Sequence, residues 1–142
     1  MNVGNVGETL FLTSYKESRK AQKTDGRIFD FLVDEGKSVE LKTDTYPMLK
    51  TPNFFMEQFG NIDTLALGGP WRAQKDNVDY FVYLFLTDKT FFWFEPESLC
   101  ALLDPVIRTM KPRIIDNRTW KAQGYPIPRE LCESICVAKN TF

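Results

Sequence analysis

The chain has 142 residues, 43% of them hydrophobic and 26% charged, with a formal net charge of −1 and no His. That length fits one domain with a single sizeable core. Without His there is no Ser-His-Asp triad, no Cys-His pair, no His-ligated zinc and no nuclease chemistry with a His base, so any hydrolase here works with carboxylates, Lys and an oxygen-bound hard cation such as Mg²⁺ or Mn²⁺.

Residues 5–21 read as a helix. Asn5 can cap it and Glu8 stands three positions on, as in a capping box. Strands follow over 27–33 and 38–44, joined by Asp34-Glu35-Gly36. A three-residue hairpin loop with Gly in the left-handed third position fits that sequence. In that register Val33 faces Lys37, Leu32 faces Ser38 and Asp30 faces Glu40. The two carboxylates then sit about 5 Å apart on one sheet face. Lys42 shares the face, two residues on. Phe29, Phe31, Val33, Val39 and Leu41 form the opposite, apolar face, which must pack on a core and so fixes the register. Facing acids repel unless something positive lies between them, and a divalent metal is the obvious candidate. The plainer alternative is a solvated hairpin face with Asp30 paired diagonally to Lys42.

Tyr46-Pro47 and Thr51-Pro52 bound a loop. Asn53–Phe59 reads as a third strand, with Phe55, Glu57 and Phe59 on one face and Phe54, Met56 and Gln58 on the other. Glu57 or Gln58 could therefore reach the acid pair, but not both. Gly68-Gly69-Pro70 is a turn, and Pro70 can open a short helix. Such a glycine loop could approach a nucleic-acid backbone, with Arg72 on a phosphate. Trp71 could stack on a sugar or base, although packing beneath the turn is its plainer role. Residues 78–86 read as a strand covered on both faces, and 90–94 as the last strand of the main sheet. A helix opens at Pro96, with Leu99, Leu102, Leu103 and Val106 at helical spacing, and Pro105 ends or kinks it. The tail carries a short helix over 128–135. This order predicts an α+β protein with a central mixed β-sheet of about five strands flanked by helices.

Charge is unevenly placed. Lys16, Arg19, Lys20, Lys23 and Arg27 form one basic cluster, and Arg108, Lys111, Arg113, Arg118 and Lys121 another. Asp30, Asp34, Glu35, Glu40 and Asp44 crowd the segment between. An acidic pocket flanked by basic segments suits a phosphodiester substrate, and ordinary charged surface is the alternative. Cys100, Cys132 and Cys136 form no Cys-x-x-Cys pattern, so buried free thiols are expected rather than disulfides or zinc. No apolar run approaches the ~20 residues of a membrane span, and no basic-then-apolar N-terminal stretch is present, so a cytosolic protein is expected.

Asp30-x9-Glu40-x-Lys42 across two adjacent strands resembles the signature of the PD-(D/E)XK nuclease superfamily. Phe29 stands where the family's Pro would be. The local sequence is most similar to small phage-encoded members, the junction resolvases and homing endonucleases. The resemblance implies a restriction-endonuclease-like core over about 5–110, a basic C-terminal extension over 111–142, and a Mg²⁺- or Mn²⁺-dependent DNA endonuclease acting in the cytoplasm of a host cell. It implies that Asp30, Glu40 and the Leu41 carbonyl hold the metal, that Glu8 on the first helix is an extra ligand, and that Lys42 orients or activates water. Glu57 or Gln58 would be accessory. Arg72, Lys20, Lys23 and Arg27 would contact DNA, and cutting both strands would call for a homodimer. The competing expectation is a catalytically inactive nucleic-acid-binding or interaction protein on the same fold; an RNA substrate is a third.

Overall fold

The computed structural model describes residues 2–22 and 29–142. Helix α1 spans Val3–Ser14 rather than 5–21. Its cap is Asn2, whose side chain accepts from the Asn5 N–H at 2.8 Å. The cap therefore lies one turn earlier than expected, and Glu8 is released from any capping role. The helix stops at Ser14 because the chain then turns to pair in a sheet, as strand β1 (Arg19–Lys20).

Strand β2 (Phe31–Leu32) and strand β3 (Ser38–Asp44) form the expected hairpin. Phe31 pairs with Val39 and Leu32 with Ser38, and the Val33 N–H donates to the Lys37 carbonyl at 2.8 Å. The loop is a 3-10 turn in which Glu35 (φ 63°) as well as Gly36 (φ 73°) adopts the left-handed conformation. β2 is shorter than the predicted strand: Phe29 and Asp30 lie in a bend, and residues 27 and 28 fall outside the described residues. The bend also turns Phe29 away from Phe31, so the two Phe side chains pack in different cores.

Strand β4 (Asn53–Asn61) does not join the hairpin's sheet. With β5 (Ala66–Leu67), β8 (Arg113–Asp116) and β9 (Lys121–Pro128) it builds a second, antiparallel sheet in the order β5-β4-β9-β8. The main sheet is mixed and six-stranded, in the order β1-β2-β3-β6-β7-β10. It includes β6 (Tyr80–Phe85), parallel to β3, together with β7 (Thr90–Phe94) and β10 (Ala138–Thr141). The C-terminal segment is thus structural and contributes strands to both sheets. Helices α2 (Gly69–Lys75), α3 (Pro96–Ile107) and α4 (Arg129–Glu133) complete the α+β architecture. Pro105 sits inside the last turn of α3 without ending it.

Alternation sorts the core into two layers. On one face of the main sheet Phe31, Val39, Val82, Leu84, Phe91 and Trp93 pack with Phe11 of α1. On the other face Phe81, Tyr83, Phe85, Phe92 and Phe94 meet α2, α3 and the second sheet. α1 lies flush on β3, since a Cβ at Gly7 would stand 2.0 Å from the Thr43 hydroxyl oxygen. Cys100 and Cys132 are buried and Cys136 half-buried, all as free thiols. Among the described residues no helix is long and apolar enough to cross a membrane.

Candidate active site

The β2–β3 ladder ends at Phe31–Val39, so the next stretch of the β3 edge faces Asp30 instead of a strand. Asp30 is held there from two sides. Its N–H donates to the Val39 carbonyl at 2.9 Å, and its carboxylate accepts the Leu41 N–H at 2.8 Å. A strand residue directs its N–H and C=O to the same side. The Leu41 carbonyl therefore points along the edge occupied by the Asp30 carboxylate.

Glu40 meets Asp30 in a side-chain hydrogen bond. Burial first, then the Asp30 charge and that hydrogen bond, push its carboxyl up to about 8, against a smaller opposing pull from Arg72. At neutral pH the touching pair therefore keeps a proton. The shared proton is the positive charge that two touching acids need. The donor set it holds together is two carboxylates and a carbonyl, all oxygen, which fits a hard divalent cation. Among the described residues no group of three or more His, Cys, Asp or Glu gathers in one place, so the pair and the carbonyl are the whole ready-made set.

Glu40 and Lys42 share a concavity of about 200 Å³ with Glu57, Arg72 and the Gly68-Gly69 turn. Glu57 comes from the second sheet. Burial raises its pKa, opposed by the Lys42 charge. Its carboxylate presses on the glycine turn so closely that a Cβ at Gly68 would lie 2.7 Å from Oε1. Gly69 (φ 49°) leaves the same room for the Glu57 carbonyl. The glycines thus admit β4, not a nucleic-acid backbone as the sequence suggested. Gln58 faces away, accepting from Gln123 Nε2 at 3.2 Å. Of the two accessory residues, only Glu57 reaches the concavity.

Other expected site residues are placed elsewhere. Glu8 sits on α1, on the face of β3 opposite Glu40, and its Oε1 is 3.5 Å from Lys20 Nζ. It is not gathered with the acid pair, and Lys20 is correspondingly engaged. Lys23 and Arg27 lie outside the described residues. Arg72 lines the concavity and also approaches Asp76 at 3.6 Å. Trp71 is only 7% exposed and donates its indole N–H to Asp104 at 2.9 Å, so it is core and has no face to offer a base. A cavity of about 670 Å³ lies by Tyr15 and Trp93 and includes none of Asp30, Glu40 or Lys42.

Two residues that sequence reading passed over shape the site. Tyr83 donates its buried hydroxyl to Asp44 and accepts the Phe55 N–H at 3.0 Å, tying β3 to β4. Asp79 accepts the Ser38 N–H at 2.8 Å, while the Ser38 hydroxyl accepts the Asp79 N–H at 3.0 Å, fixing the start of β3 against β6. Tyr83 stood inside an apolar run, where nothing marks one hydroxyl as a bridge. No protein-family model, curated protein or solved structure matches the chain.

Proposed function

We propose that the chain is a divalent-metal-dependent DNA endonuclease with a restriction-endonuclease-like core. The observation that carries the reading is the contact of the Asp30 and Glu40 carboxyl groups on adjacent segments of one sheet, with Lys42 on the same strand face as Glu40. An acid pair kept in contact at the cost of raising one pKa is hard to explain as a solvated hairpin face. The parallel pairing of β3 with β6, reached through α2, also supports the reading.

Asp30, Glu40 and the Leu41 carbonyl would hold Mg²⁺ or Mn²⁺, and Glu40 would give up its proton as the ion enters. When bound, the ion supplies charge to polarise a phosphodiester and to acidify water. Lys42 donates to the attacking water or to a phosphoryl oxygen as charge builds there, with three rotatable N–H bonds on a flexible stem. Glu57 and Lys42 line the same concavity with opposite charges, and Arg72 adds a second cation there. Asp79 acts at one remove, by fixing the start of β3.

The test is cleavage of supercoiled DNA with and without Mg²⁺. Glu40→Gln and Lys42→Ala should each lose about 100-fold or more in rate, the scale of removing one electrostatic stabiliser. An unchanged rate in either variant refutes the assignment. Mn²⁺ titration calorimetry then separates this reading from an inert protein on the same fold, which would take up no ion.

A further inference from the structure

The concavity lined by Glu40 does not end at Lys42. It shares Lys42, Phe55 and Glu57 with a second hollow of about 590 Å³, so that the two form one trough. The walls of the second hollow come from different sheets. The end of β3 and the turn to Tyr46 make one side, and β4, β8 and β9 make the other.

Its charges are unevenly committed. Asp44 accepts from the Tyr83 hydroxyl and from the Tyr46 N–H at 2.8 Å, and Glu57 faces Lys42. Lys50 and Arg113 are exposed in the trough, and neither has an ion-pair partner among the described residues. Aromatic side chains line the same hollow. Phe55 packs so closely over Gly124 that a Cβ there would fall 2.6 Å from the ring. Tyr46 stands 69% exposed at the rim. Aromatic rings and two uncommitted cations therefore line the hollow that adjoins the Glu40 concavity.

We infer that this trough grips one unpaired DNA strand beside the phosphate to be cut, its backbone on Lys50 and Arg113 and a base against Tyr46 or Phe55; the inference rests on the nuclease reading above. A duplex turns its base faces inward and offers these rings nothing to stack on. An unpaired strand offers both a face and a phosphate at every residue.

The experiment is fluorescence anisotropy of the full chain in EDTA, with a labelled single-stranded DNA oligonucleotide and the duplex of the same sequence. The single strand should bind about tenfold tighter or more, the worth of one stacked base. The variant carrying Lys50→Ala and Arg113→Ala should bind the single strand about tenfold more weakly, and the slope of log affinity against log salt should fall by about 1.4, two contacts at about 0.7 each. Both residues are exposed and unpaired, so the fold survives their loss. Equal or tighter duplex binding, or an unchanged salt slope in the variant, overturns the inference. The two readings fail separately. Strand binding as described with no Mg²⁺-dependent cleavage sinks the nuclease alone, and cleavage with wild-type strand binding by the double variant sinks the trough alone.

Discussion

Glu40→Gln should make the metal-free protein more stable at neutral pH while slowing the proposed cleavage. The folded state raises the Glu40 pKa from 4.5 to about 8, chiefly by burial. Between those values the folded chain holds a proton that the unfolded chain has released. Stability therefore falls as pH rises through that window, is fully present below about 4.5, and levels off above about 8. At 1.36 kcal/mol per pKa unit, the loss reaches about 3 kcal/mol at pH 7. Gln is the shape of the protonated acid. Its amide can donate to Asp30 and does not titrate. In EDTA the variant should melt above wild type at pH 7 by on the order of 10 °C, and the two should converge near pH 4.5. Saturating Mn²⁺ should close most of that gap by stabilising wild type alone, by about 2.7 kcal/mol at one hundred times the dissociation constant. Thermal melts across pH 4.5–8.5, with and without Mn²⁺, read all of this. A variant that melts below wild type at pH 8, or a difference independent of pH, refutes the account of the buried pair.

Two further outcomes follow from the packing around the site. Tyr83→Phe removes the bridging hydroxyl and leaves the Phe55 N–H without its partner, so urea unfolding should show a loss of about 1–3 kcal/mol; a loss within error would mean that the bridge is incidental. Gly7→Ala drives a methyl group into Thr43 and should cost about 1–3 kcal/mol. Adding Thr43→Ala should recover part of that loss, and strictly additive effects in the double-mutant cycle would show that α1 does not rest on β3 at this point.

The hairpin was legible because its register has one solution. Phe31 and Val39 must point inward together, and once they do, Asp30 and Glu40 come together. The doubly covered β6 and β7 were legible for the same reason, since continuous apolar runs admit no solvated face. The second sheet was not. β4 pairs with β9, far along the chain, and β9 contains Gly124, Pro126 and Pro128, which read locally as loop. The pairing with β8 covers only Lys121–Gly124, so both prolines lie beyond the end of β8, where a missing N–H leaves nothing unpaired. The short reach of α1 was hidden similarly. Helical spacing continues past Ser14, but the pairing of Arg19 with Leu32 claims the chain first. Glu8 looked like a capping acid or a ligand only because the true cap, Asn2, lies at the margin of the pattern. Of the residues around the acid pair, Glu57 was foreshadowed by strand alternation, whereas Tyr83 and Asp79 act through partners that no local pattern names.

The bridge through Tyr83 also bears on the order in which competence arises during folding. Glu40 and Lys42 belong to one sheet and Asp30 to the bend at its edge, while Glu57, Arg113 and the outer wall belong to another. A chain that had completed only the first layer would carry the acid pair with no opposing jaw. If the trough grips a strand as proposed, that ability would appear only after the two layers dock, and oligonucleotide binding would then report late assembly rather than hairpin formation.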